Sequence, residues 1–165
     1  MATCISHSPA ETESIGEAWG REAESGLVIG LCGELGAGKT QLVKGLARGL
    51  GIRARVQSPT FALVNVYAGG RLTLFHLDLY RLDTPEQVFA AGLQEYLEPD
   101  GVTAIEWAER LGKVPRTKGE VPRAEGGEPS AEHGGLAWGR SRWRWVQIEA
   151  VSERERRVIY EDFSG

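Results

Sequence analysis

Residues 33–40 read Gly-Glu-Leu-Gly-Ala-Gly-Lys-Thr, a complete G-x-x-x-x-G-K-[ST] phosphate-binding loop, and this octapeptide constrains the fold more than any other feature. Glycines at 33, 36 and 38 allow a tight turn whose successive N–H groups point inward and donate to phosphate oxygens. Lys39 brings a positive charge to the β- and γ-phosphates, and the Thr40 hydroxyl is placed to ligate Mg²⁺. The flanks supply the context that the motif needs. Residues 27–32, Leu-Val-Ile-Gly-Leu-Cys, form a short and almost wholly apolar run, as a parallel strand buried on both faces requires. Leu42, Val43, Leu46, Ala47 and Leu50 then recur at helical spacing, with Gly51 as the expected C-cap. Strand, glycine loop and helix in that order predict an α/β fold of the P-loop NTPase type, with a mostly parallel sheet flanked by helices.

The remaining elements follow from capping and turn chemistry. Thr3 to Ser6 reads as a short strand. Ser8-Pro9-Ala10-Glu11 is a capping box with proline at N1, opening a helix with Ile15, Ala18 and Trp19 on one face. Gly69-Gly70 between two strand-like runs, 63–67 and 72–79, predicts a hairpin. Thr84-Pro85-Glu86-Gln87 opens a second capped helix, expected to run through Val88 and Phe89 to Leu97. Residues 102–107 read as another buried strand, and 142–151 with 156–163 as an added C-terminal hairpin. From 112 to 141 the pattern dissolves: seven of 22 glycines and three of seven prolines fall there, without periodicity. We expect a flexible insertion within a single domain spanning 1–165.

The bulk properties exclude some function classes. A formal net charge of −4 on 165 residues argues against an overall electrostatic grip on DNA or RNA. The two cysteines lack metal-ligand spacing, which favours a reducing compartment. With no apolar run long enough for a span and no basic-then-apolar leader, a cytoplasmic location without membrane contact is expected.

A phosphate loop hosts many activities. Guanine recognition usually employs N-K-x-D, yet the only asparagine is Asn65, followed by Val66, so a GTPase is disfavoured. A second magnesium-side carboxylate is needed, and two acids qualify. Asp78 alternates with apolar neighbours in Phe75-His76-Leu77-Asp78-Leu79, and Glu106 ends the apolar run 102–106 where Walker-B acids sit.

The set Gly33 to Thr40, Ser58-Pro59-Thr60-Phe61, His76-x-Asp78-Leu79-Tyr80-Arg81-Leu82 and Ile105-Glu106-Trp107 resembles the TsaE family, in order, from about Ser8 to Leu111. That family is the ATPase component of the machinery installing threonylcarbamoyladenosine in tRNA. The resemblance implies binding of ATP with Mg²⁺ and weak hydrolysis by the protein alone. It implies partnership with TsaD and TsaB, while TsaC makes the threonylcarbamoyl-adenylate donor, and tRNA would be reached indirectly through the complex. Carried over by position, Leu35, Gly36, Ala37, Gly38, Lys39, Thr40 and Gln41 wrap the phosphates and Thr12 lies near the adenine. Thr40, Asp78 and Glu106 hold the metal, directly or through water, and Lys39, Glu106 and Asp78 serve hydrolysis. Ser58-Pro59-Thr60 matches a switch-like segment. The departure is 112–141, which family members usually lack.

Other residues carry weaker expectations. His76 fits a hydrogen-bonded supporting role better than a general acid or metal ligand. Tyr80 and Arg81 suit packing or a partner surface equally, and Trp107 packs at the site rim or stacks on the nucleotide. Arg140, Arg142 and Arg144 interleave with Trp138, Trp143 and Trp145, which reads as an edge strand with arginine stems over tryptophan faces rather than a stacking platform. The competing functional reading is a small-molecule or nucleotide kinase; a third is a nucleotide-dependent binding module without turnover.

Overall fold

Both capped helices begin where the sequence places Ser8 and Thr84, but the reciprocal half of each box is shifted by one residue. Ser8 Oγ accepts from the Glu11 amide and Thr84 Oγ1 from the Gln87 amide. The Glu11 and Gln87 side chains reach past the cap to the amides of His7 and Asp83. The computed structural model describes residues 1–112 and 141–164. Its elements are β1 (Ala2–Ser6), α1 (Pro9–Glu22), β2 (Leu27–Cys32), α2 (Lys39–Gly49), β3 (Val64–Tyr67), β4 (Leu74–Asp78), α3 (Pro85–Ala90), β5 (Val102–Glu106), β6 (Arg142–Ala150) and β7 (Arg156–Ser164). Single 3₁₀ segments, Leu93–Leu97 and Ala108–Leu111, flank β5.

The seven strands form one sheet in the order β1-β7-β6-β2-β5-β4-β3. Its centre, β6-β2-β5-β4, is parallel throughout, and the pairs β1–β7, β7–β6 and β4–β3 are antiparallel. The expected α/β sheet is therefore present, and the closing hairpin does more than extend it. β6 lies directly beside the P-loop strand β2, with Gly30 in register with Trp145. This corrects the edge-strand reading of the Arg/Trp stretch: β6 is interior. Its alternation sends Trp143 and Trp145 to one face and Val146 and Ile148 to the other. Arg144 does cover aromatic faces, those of Trp19 and Tyr160, while pairing with Asp162.

A second correction concerns 85–97. The single helix expected there stops at Ala90, because Gly92 adopts a left-handed conformation (φ 76°) and the chain resumes as a 3₁₀ turn. Gly51 behaves as expected just beyond the C-cap of α2: the amides of Gly51 and Ile52 return to the carbonyls of Arg48 and Ala47. The insertion at 112–141, apart from Gly112 and Ser141, lies outside the described residues, and Trp138 and Arg140 with it.

The core occupies both faces of the sheet. On one face α1 and α2 cover Ile29, Leu31, Val146 and Ile148; on the other, α3 and the 3₁₀ turns cover Val28, Leu77, Ile105 and Trp143. α1 and α2 approach closely through paired glycines, Gly16 and Gly20 against Gly45 and Gly49. A Cβ at Gly45 would lie 1.9 Å from the Glu13 carbonyl oxygen. This contact fixes α2, and with it the phosphate loop at its N-terminus.

Candidate phosphate and metal site

β2 delivers the chain into the loop at the C-terminal edge of the parallel strands, the edge at which open α/β sheets bind ligands. Gly38 caps α2 with φ 111° and has no side chain to offer, so the first amides of α2 lack a side-chain cap and face outward as an anion-binding end. Lys39, the first residue of α2, is buried and folds back over the loop. Its Nζ donates to the carbonyls of Gly33 and Glu34, the latter at 2.9 Å, and lies 4.0 Å from the centre of the Trp107 ring. Burial holds the ammonium below the usual lysine range, against the opposing pull of Glu106 and Glu109. A buried cation facing a row of amides favours a strongly anionic ligand.

The two acids emerge side by side, since Asp78 and Glu106 are register partners at the ends of β4 and β5. Thr40 Oγ1 donates to Glu106 Oε1 at 2.8 Å, which links the P-loop helix to the end of β5. His76 Nε2 meets the same oxygen at 2.8 Å. Asp78 is differently engaged: Oδ2 accepts from Ser58 Oγ at 2.6 Å and Thr60 Oγ1 at 3.0 Å, and Oδ1 from the Tyr80 amide at 2.9 Å. Asp78 thus ties the Ser58-Pro59-Thr60 segment to the site. Just past Glu106, Trp107 takes a left-handed backbone (φ 58°), uncommon for a bulky residue, and its ring meets Tyr80 with centroids 5.0 Å apart.

These groups line a cavity of about 470 Å³, bounded by Leu35, Gly36, Gly38 to Gln41, Ser58, Thr60, Asp78, Tyr80, Glu106 and Trp107. A smaller cleft of about 180 Å³ adjoins it across the loop, lined by Ser8, Thr12, Ala37, Gln41 and the β6–β7 turn. The two clefts hold every residue singled out for the nucleotide: Thr12 lies in the smaller, Leu35 in the larger, and Gly36, Gly38 and Gln41 border both. Gln41 Oε1 is buried without a hydrogen-bond partner among the described residues, leaving an acceptor for an incoming donor. Thr12 is itself buried and exchanges a hydrogen bond with Ser6 Oγ at 2.8 Å.

One residue was missed. Arg156, at the start of β7, donates from Nε to the Ala37 carbonyl at 3.0 Å and from a guanidinium nitrogen to the Gly36 carbonyl at 3.4 Å. Nothing in the sequence ties it to a loop 119 positions earlier.

The donor set suits Mg²⁺, which takes hard oxygen ligands and keeps several waters. A hydroxyl and two carboxylates converge at one strand edge, and Glu106 Oε2 takes no hydrogen bond among the described residues.

Comparison with known proteins points to one family. A family model described as threonylcarbamoyl adenosine biosynthesis protein TsaE matches residues 6–127. The chain is 51% identical over 108 residues to the tRNA threonylcarbamoyladenosine biosynthesis protein TsaE of Treponema pallidum, covering 66% of this chain and 79% of that protein. It is 47% identical over 107 residues to the protein of the same name from Synechocystis, covering 63% and 68% respectively. Among solved structures it resembles Bacillus subtilis YdiB at a TM-score of 0.67 and 28% identity, over 99% of this chain and 86% of that one.

Proposed function

This chain belongs to the TsaE family, and from that premise we propose that it is the Mg²⁺-dependent ATPase subunit of tRNA threonylcarbamoyladenosine biosynthesis, acting as one P-loop domain beside TsaD and TsaB in the cytoplasm. The observation that carries the ATPase part is the meeting of Lys39, Thr40, Glu106 and Asp78 in one cavity. The loop amides and Lys39 bind the phosphates, which requires the ammonium to leave the Gly33 and Glu34 carbonyls. Thr40 and Glu106 would hold Mg²⁺, and Asp78, whose oxygens also accept three protein hydrogen bonds, would contribute its charge directly or through water. When bound, the cation would offset negative charge that develops on the ADP leaving group.

Hydrolysis forms a bond between water oxygen and the γ-phosphorus and breaks the bond from that phosphorus to the β–γ bridging oxygen, which leaves on ADP, while the water's proton passes to phosphate and solvent. Glu106 orients that water. Asp78 couples the γ-phosphate side to Ser58 and Thr60, so loss of phosphate alters what holds that segment, and a partner reads the difference. Phosphate goes to water rather than to a small-molecule acceptor.

Glu106→Gln tests this reading. The transition state depends on the carboxylate charge more than the ground state does. The variant should bind ATP within about threefold of the wild type while phosphate release falls by ~100-fold or more. Wild-type turnover in this variant would place the acid elsewhere.

A further inference from the structure

His76 has no exposed surface, yet it is not simply packed. It lies two residues before Asp78 on β4, in register with Ala104 of β5, and its Nε2 meets Glu106 Oε1 at 2.8 Å. Nδ1 is buried without a hydrogen-bond partner among the described residues. A proton on Nδ1 would be a buried donor with no acceptor, so the ring carries its proton on Nε2 and donates it to Glu106. A leucine would fill similar space without an unpartnered polar atom.

We propose that His76 is the positioning residue for Glu106, holding its Oε1 so that Oε2 is the oxygen presented to the metal and the attacking water. The Glu side-chain torsion that turns the carboxylate is broad and nearly two-fold, so a single bond from Thr40 selects poorly between the two oxygens. Thr40 and His76 each lie 2.8 Å from Oε1, which together gives it as many hydrogen-bond partners as it has lone pairs. Thr40 must also engage ligand when nucleotide binds. His76 lines neither of the two clefts, so its bond persists through the cycle as the fixed reference for the carboxylate.

The inference rests on Glu106 being the acid, and the experiment separates the two. In the full-length wild type, long-range ¹⁵N–¹H NMR should find His76 protonated on Nε2 and bare on Nδ1; the opposite tautomer overturns the proposal. His76→Leu should lower kcat by about 10–100-fold, as loss of an orienting partner typically does, with affinity for a non-hydrolysable ATP analogue changed less than about threefold. His76→Gln, whose amide can donate from nearly the same place, should recover most of that rate. In a Glu106→Gln background His76→Leu should add no further loss, because the two act as a unit. A Leu variant at the wild-type rate, a Gln variant that folds but stays as slow as Glu106→Gln, or additive losses would each refute the positioning role. Should the Leu variant not fold, the Gln variant and the tautomer decide. Undiminished turnover in Glu106→Gln alone would remove the ground for both readings.

Discussion

Arg156 donates from Nε to the Ala37 carbonyl at 3.0 Å, so β7 braces the phosphate loop near its middle. The same guanidinium also binds the carbonyls of Ser152 and Glu155 in its own turn. The brace acts on backbone shape and not on any one phosphate. Arg156→Met should therefore weaken ATP and ADP together, each by about tenfold, since hydrogen bonds from a charged donor are worth ~1.5–3 kcal/mol. Calorimetry with both nucleotides checks this. Loss confined to ATP would mean that Arg156 serves the γ-phosphate instead.

Lys39→Ala separates ligand binding from folding. A charge-assisted phosphate contact exceeds ~1.5 kcal/mol, so ATP affinity should fall well beyond about tenfold. The melting temperature should hold or rise. Burial lowers the folded-state pKa of Lys39, so the charged group costs stability at neutral pH, a cost relieved only as pH rises toward the unfolded value. Unchanged ATP affinity would contradict the P-loop assignment.

The α1–α2 contact predicts a purely structural defect. Gly45→Ala would drive a methyl against the Glu13 carbonyl, and Gly16→Ala one against that of Leu42 at 2.1 Å. Backbone cannot yield as a side-chain tip does. Each variant should lose more than ~2 kcal/mol, or about 5–10 °C in melting temperature. A melting curve superimposable on the wild type would show that the helices can separate without penalty.

Acid sensitivity should come partly from the C-terminal hairpin. Arg144, bonded to both carboxylate oxygens, holds Asp162 below the usual aspartate range. A depressed folded-state pKa contributes stability above the unfolded value of about 3.9 and loses it as pH falls through the folded value. Because Asp162 is more than half exposed, the contribution is under ~1 kcal/mol. Wild type should exceed Asp162→Asn in urea melts at pH 7, and the gap should close below about pH 4. A gap that widens in acid would reverse the sign.

What the sequence made legible was local. The loop 33–40, the caps at Ser8 and Thr84, the Gly69-Gly70 hairpin and the acid-ending runs at Asp78 and Glu106 each follow from residues within one turn or strand. What it hid depends on partners distant in the chain. β6 reads as a strand from its own alternation, but its place beside β2 is a parallel pairing that only the assembled sheet reveals. The glycines of α1 and α2 look like weak helix residues until the two helices meet. The break at Gly92 was missed because apolar spacing continues across it. Arg156 and the His76–Glu106 bond are contacts across the sheet, with no local pattern to mark them.

In the proposed function, ATP hydrolysis drives a partner's cycle. The direct test is multiple-turnover modification of tRNA by TsaD and TsaB with the threonylcarbamoyl-adenylate donor supplied, comparing wild type, Lys39→Ala and Glu106→Gln. Slow ATP turnover by the chain alone, faster turnover with TsaD–TsaB, and repeated rounds of modification only with the wild type are expected. Equal modification by all three proteins would make ATP incidental and contradict that function.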